Sequence, residues 1–195
     1  MSIRKFSTAS ISAGTNKSTK LWDQETFQSG MFALATVTLS SSASSVVFTG
    51  IPNTYTHLQV RCLTRTNLSA TTLDTFMKIN TGTSYYYHYV YGNGASAAAG
   101  GGSNTTSLIG RATGSTATVS TFGCSIVDIL DYTNTNKNKT IRVLNGDDNN
   151  GNGNAFVFSG LSLSTTAVTD LTFTAEGASS FVQYSHFALY GIKSA

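Results

Sequence analysis

The stretch HLQVRCL, residues 57–63, alternates without a break: Leu58, Val60 and Cys62 fall on one side of an extended chain, His57, Gln59 and Arg61 on the other. Successive side chains of a strand point to opposite faces, so this period of two marks a strand with one face on a core. Strand-like runs recur in both directions from it. They are ALATVTL (33–39), SVVFTGI (45–51), LDTFMKI (73–79), YYYHYVY (85–91), TFGCSIVDIL (121–130), KTIRVLN (139–145), NAFVFSG (154–160), TDLTFT (169–174) and FVQYSHFALYGI (181–192). About ten strands separated by Gly, Asn and Ser turns, with no window that offers a capped apolar helix face, predict an all-β sandwich or barrel.

Details within the runs sharpen this. Pro52 is the single proline and falls in a connection, as expected where ladder positions need their N–H. The run 181–192 is apolar on both faces, which predicts a strand lying centrally or against a partner chain. The stretch GNGASAAAGGGSNTTS (92–107) reads as a flexible surface loop, and NGDDNNGNGN (145–154) as a polar turn between two strands. Cys62 and Cys124 each sit inside a strand run and read as buried free thiols, not as a disulfide framework.

Charge is scarce, at 11% of residues, against about one-quarter in ordinary domains. Hydrophobic residues at 40% still predict a globular chain, whose surface is then made of Ser, Thr, Asn and Gly. Such a surface suits a stable assembly, where repulsion between molecules matters less. The first twenty residues carry Arg4, Lys5, Lys17 and Lys20 and no acid, so the surplus of +3 originates there. No apolar run between Arg4 and Lys17 resembles a signal peptide, and no stretch approaches the ~18 apolar residues of a membrane span. With Trp22 and Phe27 the leader is stickier than a solvated tail needs, so residues 1–33 are expected to be a docking arm and 34–195 the β-sandwich.

Chemistry is thinly represented. His57, His88 and His186 lie in strand patterns beside tyrosines and read as core or interface residues. No nucleophile elbow, zinc-protease helix or phosphate loop occurs. Asp128 and Asp131 are separated by an odd offset, so on a strand they point apart and cannot pair as glycosidase carboxyls. From Asp148 to Gly153 the chain matches the start of a calcium loop, but its twelfth position is Ser159 in place of the required Glu. No catalytic residue, metal or cofactor is therefore expected. Four charges spread over twenty residues are too thin a footprint for nucleic acid, and Lys137 and Lys139 read as guards of a strand end. Tyr85, Tyr87, Tyr89 and Tyr91 share one strand face and read as core or subunit contact before glycan platform. Tyr85, Tyr87, Tyr89, Tyr184 and Phe187 are the expected contact residues between subunits.

Five stretches carry a resemblance: SIRKFSTASISAGTNKSTKLWDQETF (2–27), VVFTGIPNTYTHLQVRCLTRT (46–66), YHYVYGNG (87–94), SIVDILDYTNTNKNKTIRVLNG (125–146) and VQYSHFALYGIK (182–193). Over nearly the whole chain they resemble a family of virion structural proteins of tailed bacteriophages, including cyanophage-like members. The resemblance implies a non-enzymatic virion component with a jelly-roll-like antiparallel β-sandwich and an extended N-terminal arm, assembled in the host cytoplasm. The expected role is capsid decoration, a cement protein bound as a homotrimer to the assembled shell. The arm (Arg4, Lys5, Lys17, Lys20, Trp22, Phe27) would then contact the major capsid protein or a tail or collar protein. The alternative is a tail or collar fibre module that presents 92–107 or 145–154 to a host glycan. Neither role involves nucleic acid or membrane.

Overall fold

A computed structural model describes residues 30–193. Its strands are β1 Met31–Thr38, β2 Ser45–Phe48, β3 His57–Thr64, β4 Thr72–Ile79, β5 Tyr85–Gly92 and β6 Ala97–Asn104. They continue as β7 Ser107–Thr113, β8 Gly123–Leu130, β9 Lys139–Asp148, β10 Gly153–Ser162, β11 Leu171–Ala175 and β12 His186–Ile192. Among the described residues the one helical element is the 3-10 turn Glu176–Ala178, and no helix is long and apolar enough to cross a membrane.

The strands form two antiparallel sheets packed as a sandwich. The larger runs β1-β12-β3-β8-β9-β10-β5-β6, the smaller β2-β11-β4-β7. Set aside the hairpins β5–β6 and β9–β10, and successive strands alternate between the sheets except at β4 and β7, which pair within the small one. Both hairpins add to the same edge of the large sheet, beyond β8. Strand β12 lies between β1 and β3, with Ala188 opposite both Thr36 and Arg61. Phe187 and Leu189 face the core, and Ala188 on the opposite face is buried as well.

The core lies between the sheets. Leu58 and Val60 of β3, Val127 and Ile129 of β8 and Ile141 of β9 meet Met77, Ile79, Leu171 and Phe173 of the small sheet. Phe173 and Phe187 join the two layers with ring centroids 5.3 Å apart, and Phe181 stands edge-on to Phe187 at 5.1 Å. Side chains also bind the main chain across the layers. Asn145 of β9 accepts a hydrogen bond from Arg111 N at 3.0 Å, and its Nδ2 donates to Arg111 O, Cys124 O and Ser125 Oγ at 3.0, 2.8 and 2.9 Å. Strand β7 is an edge of the small sheet, so Asn145 satisfies an edge residue with no strand on its far side. Gly110, beside it at φ +116°, has no room for a Cβ, which would fall 2.4 Å from Asn145 Cγ.

Several expectations need correction. The sandwich begins at Met31, inside the span assigned to the arm. The 92–107 stretch is not a loop: it contains β6, paired over eight positions with β5, and β7 follows it. Lys139 guards no exposed end. It is fully buried, and its ammonium donates to the carbonyls of Asn134, Lys137 and Thr165, the last two at 3.0 Å. An ammonium with three acceptors can be buried, because each N–H keeps a partner. Cys62 is buried, where desolvation pushes its thiol well above the ordinary range. Cys124, on the opposite face of the large sheet, is exposed, and both are free.

Candidate interaction surface

The four-strand extension β9-β10-β5-β6 carries an aromatic inner face and an aliphatic outer face. On the inner face Tyr87, Tyr89 and Tyr91 of β5 abut Phe156 and Phe158 of β10. Tyr91 stacks on Phe156 at 4.9 Å, Phe156 on Phe158 at 5.3 Å, and Tyr89 tilts against Phe158 at 5.4 Å. The Arg111 guanidinium lies 5.0 Å from the centre of Phe156 and hydrogen-bonds Asp74 at 3.1 Å, so the cation on the ring is also held by its counter-charge.

The tyrosines explain β6, whose Ala/Gly sequence has poor strand propensity. Tyr87 is opposite Gly102, His88 opposite Gly101 and Tyr89 opposite Gly100. A Cβ at Gly100 would lie 2.7 Å from Tyr89 Cζ, and one at Gly101 would lie 2.5 Å from His88 Cδ2. The rings of β5 therefore lie across the β6 backbone, and aromatic cover on glycine replaces the side-chain packing that β6 lacks.

The outer face has no covering layer among the described residues. Cross-strand register gathers its side chains into rows. One row is bulky: Ala99, Val90, Val157, Leu144 and Ile126, in successive strands from β6 to β8. The next is small: Ala97, Gly92, Ala155, Gly146 and Cys124. Val90, Val157 and Leu144 are 58%, 56% and 56% exposed, and a shallow hollow of about 560 Å³ lies among Val90, Ala97, Leu144, Ala155 and Val157. Neither row contains a charge. The third row pairs Asp128 with Arg142 across β8 and β9, and Gln59 donates to Asp128 at 2.9 Å. Contiguous exposed apolar surface of this kind marks sites of contact with other molecules.

A second, polar cavity of about 340 Å³ opens at the end of these strands. Asn93 and Gly94 border it from one Gly-rich stretch, Asp147, Asp148 and Asn154 from the other. Asp147 is buried, Asn154 Nδ2 donates to its Oδ2 at 3.4 Å, and its Oδ1 has no hydrogen-bond partner. Desolvation raises its carboxyl above the usual range, opposed by the Asn154 bond and the nearby Arg111 charge. Asp148 Oδ1 accepts Asn150 N at 3.0 Å, ordinary turn chemistry.

The arm residues Arg4, Lys5, Lys17, Lys20, Trp22 and Phe27 lie outside the described residues. The expected subunit contacts are scattered. Tyr85 is buried, its hydroxyl accepting from Ile79 N at 2.8 Å, and Phe187 is buried beside Phe173; neither can meet a second chain. Tyr87 and Tyr89 lie on the inner face, half-buried. Of the five only Tyr184 is largely exposed, in a connection outside the strands. Asp131 lies beyond the end of β8, bound to Lys137 at 2.8 Å, which holds its carboxyl below the usual range. His57, His88 and His186 do not converge. Sequence reading missed Val90, Leu144 and Val157, yet a signal exists: FVF at 156–158 and YVY at 89–91 are apolar at consecutive positions, which makes both faces of a strand apolar. Comparison of the chain with family models, with curated proteins and with solved structures finds no match.

Proposed function

We propose that this chain is a non-enzymatic structural component of a tailed-phage particle, a decoration protein that binds the assembled capsid. The observation that carries the reading is the outer face of the large sheet, aliphatic in two rows and free of charge there, a surface suited to lasting contact with protein. The strand order supports it. With the two hairpins set aside, β1-β12-β3-β8 over β2-β11-β4-β7 reads as a jelly roll, in which eight strands wind as two Greek keys. A protein that binds only the assembled lattice stabilises it by mass action. The test is to mix purified full-length chain with emptied heads. The chain is expected to co-sediment and to raise the temperature at which the heads fall apart. Chain left entirely in the supernatant overturns the reading.

The polar cavity favours a second reading, an adhesive module for host-surface glycan. Both Gly-rich stretches border it, and the side-chain amides of Asn93 and Asn154 supply donors and acceptors for sugar hydroxyls. On this reading the chain retains host polysaccharide, and Asn154→Ala abolishes the retention. No retention by the unaltered chain removes it.

A further inference from the structure

From the outer face of the extension we infer that a second copy of this chain covers it, face to face about a twofold axis. The inference deepens the assembly reading above by naming one partner of that surface.

A twofold interface uses the same patch on both molecules, so the patch must fit itself. The two apolar rows meet that requirement. The ridge of Val90, Val157 and Leu144 runs beside the groove of Gly92, Ala155 and Gly146, one register step away on the same strands. Rotation by 180° brings the ridge of one copy over the groove of the other. Charge is sparse on this face: both rows are neutral from β6 to β8, Arg61 continues the bulky row only on β3, and in the third row Arg142 is opposite Asp128 in register. The extent is adequate. Six strands from β6 to β3, spaced about 4.8 Å and about eight residues long, present a face of roughly 800 Å². A stable interface takes about 800 Å² from each partner. Sheets stacked in this way lie about 10 Å apart, close enough for the ridge side chains to fill the hollow of about 560 Å³.

The test is sedimentation equilibrium of the full chain from roughly 1 to 100 µM, with variants at three exposed positions. The unaltered chain is expected to approach twice its 20.5 kDa mass. Val157→Lys and Leu144→Lys each place an ammonium on the ridge and are expected to weaken association at least tenfold. Both sites are more than half exposed, so circular dichroism and melting should stay unchanged. Val47→Lys, at an exposed position in the small sheet, is expected to leave association intact. Cys124, the exposed thiol of the small row, gives an independent readout: its maleimide labelling should slow as concentration rises. A single-chain mass throughout overturns the inference. So does a trimer, ridge variants that keep the unaltered mass, Val47→Lys dissociating as strongly, or labelling of Cys124 that ignores concentration. Dimers that fail to bind heads would sink the decoration reading alone; monomers that bind them would sink this one alone.

Discussion

Replacing Asn145 with Ala tests the largest single polar link between the sheets. The side chain is 2% exposed and makes four hydrogen bonds. Two of them satisfy the N–H and C=O of Arg111, on a strand edge that no other strand covers. Each buried polar group left without a partner costs about 1–3 kcal/mol, so two such groups set the loss at roughly 2–6 kcal/mol. Urea unfolding should show the midpoint falling at constant slope. Gly110 provides the cross-check. A Cβ there meets Asn145 atoms at 2.4–2.6 Å, and φ +116° is itself strained for any other residue. Gly110→Ala therefore carries a clash, which needs the Asn145 side chain, and a backbone strain of about 1–3 kcal/mol, which does not. In the Asn145→Ala background the contacts with Cγ and Nδ2 are gone and only the one with Cβ, at 2.6 Å, remains beside the strain, so the double variant should be more stable than the summed single losses predict. A loss below about 1 kcal/mol for Asn145→Ala, or strict additivity, refutes this account of how the layers are joined.

Other outcomes follow from the same geometry. Gly100→Val adds a residue with high strand propensity, yet it should expose β6 amides to faster hydrogen exchange, because Tyr89 occupies the space. Tyr89→Ala should make Gly100→Val tolerable. Lys139→Met leaves three carbonyls without their donor and should lower stability in urea by about 1–3 kcal/mol for each carbonyl that water does not reach. Asp147 has a folded-state pKa above that of the unfolded chain. The fold therefore binds its proton more tightly, and this group's contribution falls as pH rises from about 4 through the folded value. Asp147→Asn should raise the melting temperature at pH 7.5, with the gain shrinking towards pH 4; a gain that grows on acidification contradicts the sign.

Most of the architecture was legible because alternation states which residues face the core. HLQVRCL became β3 with Leu58, Val60 and Cys62 inward, and the apolar run ending at Ile192 became an interior strand. Three features were hidden for a common reason: each depends on a neighbour distant in sequence or register. Strand β6 has no propensity of its own and is held by rings of β5. Lys139 looks like a surface lysine until loop carbonyls from two connections close on it. Cys124 looks like a core thiol because its run is apolar on both sides, and only the register with Leu63 and Gly146 shows which side is uncovered. Two of the expected subunit contacts, Tyr85 and Phe187, are buried for a similar reason. On β5 the odd-numbered tyrosines turn inward, and Val90 between the rings faces out.

The pairing of β1 with β12 alone has a temporal side. A ribosome delivers about 5–20 residues each second, and the first strand described has its partner only in the last strand described. Until that strand arrives, β1 has no ladder to join, and β3 can pair with β8 on one side only. Strand β1 and one edge of β3 must therefore wait unpaired, exposed to other nascent chains on the same message. Closure then comes late and in one step, so a chain cut short before His186 would lose its beginning from the sheet together with its end.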